Sequence, residues 1–122
     1  MLTGMQTTKQ RLGAFGESAA AKFLVDRGYR ILDRNYRCEI GEIDLIVQDG
    51  RWLVFVEVKT RSGGGYGHPF ESITAQKLSR MRKLAAYWCQ LNAAPGTRFR
   101  LDAVSVLVRE RRVLIEHLKQ VG

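Results

Sequence analysis

Residues 41–59 read Gly41-Glu42-Ile43-Asp44-Leu45-Ile46-Val47-Gln48-Asp49-Gly50-Arg51-Trp52-Leu53-Val54-Phe55-Val56-Glu57-Val58-Lys59, two apolar runs joined by Asp49-Gly50. Runs rich in Val, Ile and aromatics on either side of Asp-Gly predict a β-hairpin. With Asp49-Gly50 as a two-residue turn, Gln48 pairs with Arg51, Glu42 with Glu57 and Asp44 with Phe55. One face then carries Gly41, Ile43, Leu45, Val47, Trp52, Val54, Val56 and Val58 and must look into a core. The other carries Glu42, Asp44, Glu57 and Lys59. Asp44 and Glu57 are diagonal neighbours there, with Cβ atoms roughly 7 Å apart or less, and Lys59 stands two residues along.

Carboxylates held together on a buried strand pair repel each other and are poorly solvated, so a proton or a cation must neutralise them. Oxygen-only ligands suit Mg²⁺ or Mn²⁺. A lysine beside such a cation can hold a phosphate oxygen or stabilise the charge that develops in phosphodiester cleavage. The competing reading is an ordinary cross-strand salt bridge linking Glu57 and Lys59 with Glu42. Glu-x-Lys alone carries little, because chance supplies it roughly 0.4 times in a chain of this length at average composition. Its weight comes from Asp44 on the same face and from Glu17 in the segment before the hairpin. Glu17 shares its helix side with Gly13, Ala20 and Leu24, a small and apolar setting that calls for a metal or a basic neighbour, unless Glu17 is simply a helix-surface acid.

Outward from the hairpin, Leu12, Phe15, Ala19 and Phe23 recur at helical steps from Thr8 to Arg27, with Gly28 as a stop. Tyr29 to Tyr36 reads as a strand ahead of Ile40 to Gln48 and Trp52 to Thr60. Leu78, Met81, Ala85 and Trp88 predict a second helix over Thr74 to Asn92, closed by Pro95-Gly96. Phe99 to Val108 and Val113 to Leu118 read as two further strands around Arg109-Glu110-Arg111-Arg112. The order αβββαββ, with a helix between the third and fourth strands, predicts an α/β fold with a mixed sheet flanked by helices. One domain over 1–122 is expected, with 1–8 flexible and 61–70, around the glycine cluster, a mobile loop. That loop lacks the Gly-Lys-Ser/Thr of a phosphate-cradling turn; it reads as a flap carrying Arg61, Tyr66 and His68 towards a substrate backbone.

The chain has 122 residues, with 20 Lys+Arg against 12 Asp+Glu and a formal net charge of +8. The excess is spread along the chain, so a folded basic surface and a polyanionic partner are expected. Arg61 and, on the second helix, Lys77, Arg80 and Lys83 are candidates for nucleic-acid phosphate contacts; a solvated face is the bland alternative for any one of them. Asp102 beside Arg100 reads first as a salt bridge. Cys38 and Cys89 lack zinc or disulfide spacing and suggest reduced thiols in the cytoplasm. No apolar run is long enough for a membrane span, and the N-terminus does not read as a signal peptide.

Asp44, the Glu57-Val58-Lys59 tripeptide and Glu17 resemble the PD-(D/E)XK nuclease superfamily. The segments Gly13 to Ala20, Gly28-Tyr29-Arg30-Ile31-Leu32, Asn35-Tyr36-Arg37, Gly41 to Ile46 and Val54 to Arg61 more closely resemble the YraN family, related to the archaeal Holliday-junction resolvases. The resemblance implies a restriction-endonuclease-like core. It also implies Mg²⁺- or Mn²⁺-dependent cleavage of DNA phosphodiesters, branched DNA among them, and a homodimer. Under it Asp44 and Glu57 are metal ligands, Glu17 is an accessory carboxylate and Lys59 is the catalytic lysine. The superfamily's proline is absent, since Ile43 precedes Asp44. The alternative is a non-catalytic nucleic-acid-binding module on the same fold.

Overall fold

In the computed structural model, residues 7–63 and 69–122 are described. Helix α1 (Thr8–Asp26) starts at a capping box: the Thr7 hydroxyl accepts from the Gln10 N–H at 3.1 Å, and Gln10 Oε1 accepts from the Thr7 N–H at 2.9 Å. Gly28, at φ 92, takes the left-handed conformation that turns the chain out of the helix. Strands β1 (Arg30–Cys38), β2 (Gly41–Asp49) and β3 (Trp52–Ser62) follow, then a 3₁₀ turn over Pro69–Ser72. Helix α2 (Ala75–Asn92), capped by the Thr74 hydroxyl on the Lys77 N–H at 3.1 Å, leads to β4 (Phe99–Arg109) and β5 (Arg112–Leu118).

The five strands lie in sequence order in one sheet. Only β3 and β4 are parallel, joined through α2 as the αβββαββ reading requires. Each helix covers one face. Ala20, Ala21 and Leu24 of α1 pack on Val54, Val56, Val58, Val104 and Val106. Met81, Leu84 and Ala85 of α2 pack on Ile46, Leu53, Phe55 and Leu101. Phe55 is enclosed there by the edges of the Trp88 and Phe99 rings.

Two sequence expectations need correction. The α1 stripe is displaced: Gly16, Ala20, Ala21 and Leu24 are buried, whereas Phe15 is 47% exposed. Small side chains let the helix approach the sheet more closely than the Phe stripe would, and a Cβ at Gly16 would overlap the Thr60 side chain. The hairpin turn is Gly50-Arg51 rather than Asp49-Gly50, because Asp49 pairs with Trp52 and Leu45 with Val56. Gly50, at φ 59, supplies the left-handed residue at the first turn position. This two-residue slip in pairing keeps every side chain on its face. Residues 1–6 and 64–68, which include Tyr66 and His68, lie outside the described residues. Of the other residues in the segments expected to be flexible, Thr7 caps and Thr8 begins α1, and Arg61 and Ser62 end β3.

Candidate acidic site between β2, β3 and α2

Side chains alternate along a strand, so Ile43 and Leu45 should share a face. They do not. Gly41 lies against Arg80 and Leu84 of α2 and Ile43 joins the α2-side core, whereas Leu45 and Val47 join the α1-side core. The expected single apolar face therefore breaks at Asp44. Across the ladder, between the pairs Arg34–Leu45 and Tyr36–Ile43, sits Asn35 at φ 51. A left-handed residue here re-aims both strands, the usual function of an irregularity beside a site.

The recorded pairing of β2 with β3 ends at Leu45–Val56. Beyond it the Asp44 carboxylate replaces the backbone acceptor, taking the Val58 N–H at 2.7 Å. Asp44 is thus held between the two strands and close to Glu57. Burial, then the Glu57 charge, push its pKa up to about 7, against the lowering effect of the Val58 N–H; Glu17 and Glu42 raise it further.

Glu17 reaches the same point from α1, one turn before Ala20 and Ala21 on the buried stripe. Its carboxyl is raised by burial first and by Glu42 second, while hydrogen bonding with Asp44 and Asn35 partly offsets this. With its amide nitrogen turned to the helix, Asn35 donates to both Glu17 oxygens at 3.1 and 2.8 Å. Carboxylate oxygens of Glu17, Glu42 and Asp44 all lie within 4.8 Å of one another. Glu42 also meets its cross-strand neighbour Arg37, Nε to Oε2 at 3.4 Å.

Glu42, Asp44 and Glu57 line one wall of a cleft of about 210 Å³, and Lys77, Arg80, Met81 and Leu84 of α2 line the other. Glu57 is paired across it with the Lys77 ammonium at 2.6 Å. The sequence-level alternative, a salt bridge joining Glu57 and Lys59 to Glu42, is thus replaced by ion pairs Glu57–Lys77 and Glu42–Arg37. Lys59 lies two residues along β3 from Glu57, on the same side of the strand and half-buried. Lys59 and Arg61 are not among the residues lining the cleft, and Lys83 is exposed one turn beyond Arg80. Sequence reasoning missed Asn35 and treated Glu42 only as a salt-bridge partner. An Asn in a polar strand, able to adopt φ above zero, was the available signal for the first.

Asp102 belongs elsewhere. It faces α1, fully buried, and takes His117 Nε2 at 2.7 Å, Arg100 Nε at 3.1 Å and the Gln120 N–H at 3.1 Å. Arg100 continues to Asp49 at 3.1 Å and the Tyr29 hydroxyl at 2.9 Å. The expected salt bridge is present, and His117, not singled out in the sequence, is its second partner.

All donors at the acidic cluster are carboxylate oxygens, those of Glu17 and Asp44 raised in pKa by burial and by the neighbouring acids, and such a set suits a hard divalent cation. No helix among the described residues is long and apolar enough to cross a membrane.

A model of the family described as "Uncharacterised protein family UPF0102" matches residues 16–106. A UPF0102 protein of Renibacterium salmoninarum is 48% identical over 116 residues, covering 94% of this chain and 98% of the relative. UPF0102 proteins of Beutenbergia cavernae (46% identical, 93% and 98% covered) and Moorella thermoacetica (48% identical, 89% and 92% covered) are similar over nearly the same length. The match spans α1 to β4 and so takes in Glu17, Asn35, Glu42, Asp44, Glu57 and Lys59, and the chain belongs to the UPF0102 (YraN) family.

Proposed function

We propose that this protein is a cytoplasmic divalent-metal-dependent nuclease that hydrolyses DNA phosphodiesters. The observation that carries the reading is the convergence of Glu17, Glu42 and Asp44 oxygens within 4.8 Å on a cleft whose facing wall is cationic. The raised Glu17 and Asp44 carboxyls are costly to ionise in the folded protein, and a function that needs them is the economical explanation for their placement.

Under this reading Asp44, Glu17 and Glu42 hold the cation, with Glu57 joining them once Lys77 releases it. Bound there, Mg²⁺ or Mn²⁺ would supply Lewis-acid polarisation of the phosphoryl oxygen and lower the pKa of water. Asn35 fixes the Glu17 carboxylate, and the Val58 N–H fixes Asp44. Lys59, beside Glu57, positions a phosphate oxygen or the attacking water. Lys77 and Arg80 face the carboxylates across the cleft and provide charge for a phosphate, with Lys83 and Arg61 extending the contact without reading sequence.

One observation favours the second reading, a nucleic-acid-binding module without turnover: Glu57 is already neutralised by Lys77 at 2.6 Å. A cleavage panel on duplex, single-stranded, flap and four-way DNA separates the two. The nuclease reading expects products with Mg²⁺ or Mn²⁺ from the wild type and none from Lys59→Ala. Tight DNA binding with no products on any substrate would favour the module.

A further inference from the structure

The sheet face under α2 is open at a second place. Leu53, Phe55 and Glu57 alternate onto that face along β3. Lys77, Arg80, Leu84, Trp88 and Asn92 follow one another at steps of three and four on the flank of α2 that lies towards β2. One end of this flank is the acidic cleft. The other end opens into a pocket of about 460 Å³, floored by Leu32, Leu53 and Trp88 and rimmed by Gln48, Asn92 and Thr97. Thr97 also lines an adjoining pocket of about 510 Å³, whose walls are Arg51, Trp52, the Pro95-Gly96 turn and Arg98. Each has the volume of a small-ligand site.

The polar groups around these pockets are held in place without being used up. Gln48 Nε2 donates to the Gly50 carbonyl at 3.1 Å and Asn92 Nδ2 to the Trp88 carbonyl at 3.0 Å. Each amide is fixed through one hydrogen, while its side-chain oxygen has no partner among the described residues. The Arg98 carbonyl accepts the Leu53 N–H at 3.0 Å, which brings Arg98 alongside the Gly50-Arg51 turn. Arg37 and Arg100 are paired with acids, whereas neither Arg51 nor Arg98 has an ion pair among the described residues. No acid lines either pocket. Two guanidinium groups on one pocket with nothing to neutralise them suit an anion, and phosphate before others.

We infer that the joined pockets take one unpaired nucleotide of a nucleic-acid strand, its base against Trp88 and its phosphate between Arg51 and Arg98. An apolar floor with hydrogen-bonding groups at the rim matches a base, which has apolar faces and a polar edge. A base stacked in a duplex offers no free face, so the occupant is unpaired. It belongs to a strand because the same flank of α2 carries Lys77 and Arg80 on the wall of the acidic cleft. Lys77 and Asn92 stand about 22 Å apart along α2 at 1.5 Å per residue, the length of about six stacked nucleotides. The choice of nucleic acid as partner rests on the reading proposed for the acidic cleft; the site itself does not require cleavage there.

Both tryptophans of the chain, Trp52 and Trp88, line these pockets, so intrinsic fluorescence reports their occupancy. The full chain, in EDTA to exclude metal-dependent cleavage, is titrated with a thymidine strand of about ten nucleotides, a duplex of the same length and thymidine monophosphate. The strand should quench the emission and bind about tenfold or more tightly than the monophosphate. Trp88→Phe, which keeps a ring against Phe55, should retain strand binding by anisotropy and lose most of the quench. Arg51→Ala/Arg98→Ala should weaken the strand about tenfold and the duplex less than about threefold. Lys22→Ala, which removes an exposed cation of α1 on the opposite face of the sheet, should change both by less than about twofold. Equal losses on strand and duplex in the double variant, no quench at saturation, or a monophosphate bound as tightly as the strand overturns this site and leaves the proposed function standing. A wild type that binds neither strand nor duplex overturns both.

Discussion

Asp44 Oδ2 accepts the Val58 N–H at 2.7 Å, so the carboxylate at the centre of the acidic site also closes the ladder between β2 and β3. Asp44→Ala leaves that N–H without an acceptor and should cost about 1–3 kcal/mol in denaturant unfolding, whereas Asp44→Asn can keep an oxygen acceptor there and should cost less. A larger loss in Asp44→Asn than in Asp44→Ala would contradict this.

The same group sets a pH dependence. Its folded pKa, about 7, lies above the ordinary 3.8, so the folded protein binds the proton more tightly than the unfolded chain. Its contribution to stability is therefore full below about pH 4 and falls as pH rises through 7, by an amount on the order of a few kcal/mol. Urea melts of wild type and Asp44→Asn should diverge over that window, the variant gaining relative stability as pH rises. Mn²⁺ should narrow the gap at pH 8 by favouring the ionised carboxylates. Parallel pH profiles for the two proteins would contradict the raised pKa.

Lys77 and Glu57 form an internal ion pair where the cation reading requires a ligand. Lys77→Met should raise Mn²⁺ affinity several-fold in calorimetry, because Glu57 no longer has a competing ammonium. The same variant should weaken DNA binding and reduce the slope of log affinity against log salt by about 1. Unchanged metal affinity would mean that Glu57 is not a ligand.

Gly16 brings α1 close enough for Glu17 to reach the site. Gly16→Ala should cost about 1–3 kcal/mol, since the new Cβ overlaps Thr60, and it should weaken Mn²⁺ binding by displacing Glu17. Thr60→Ala added to it should recover part of both losses, because it removes the overlapping hydroxyl and methyl groups but keeps the Thr60 Cβ, 2.7 Å from the new one. Failure of that rescue would place the constraint elsewhere.

The network at Asp102 is structural. Hydrogen bonds from His117, Gln120 and Arg100 hold its carboxyl below the usual value against the opposing effect of burial. Its stabilisation is present above the unfolded pKa and is lost as pH falls through the depressed folded one. Asp102→Ala should cost about 3–5 kcal/mol, leaving Arg100 without its buried partner, with DNA and Mn²⁺ binding retained in the fraction that stays folded.

Element order and the placement of Asp44 beside Glu57 were legible because period-2 and helical patterns survive small errors of register. The slip from Asp49-Gly50 to Gly50-Arg51 left every face intact. The break at Asp44 was not legible, because it depends on a left-handed Asn35 in the neighbouring strand, which no periodicity reports. The α1 stripe was misread for a related reason: a helix that docks through Gly16, Ala20 and Ala21 hides its contact face among small residues and leaves Phe15 outside. Lys77, the partner of Glu57, comes from α2, and only its packing on the sheet brings the two together, whereas His117 meets Asp102 diagonally across the β4–β5 hairpin.

The proposed function requires that the acidic cleft cleave DNA through a bound divalent cation. Single-turnover cleavage of a four-way DNA junction by wild type and Asp44→Asn, with binding matched by fluorescence anisotropy, tests it most directly. The account predicts Mg²⁺- or Mn²⁺-dependent products from the wild type, abolished by chelation and absent in Asp44→Asn although the variant binds the junction at least as tightly. Equal cleavage by the two proteins, or none by a wild type saturated with junction and Mn²⁺, would contradict it.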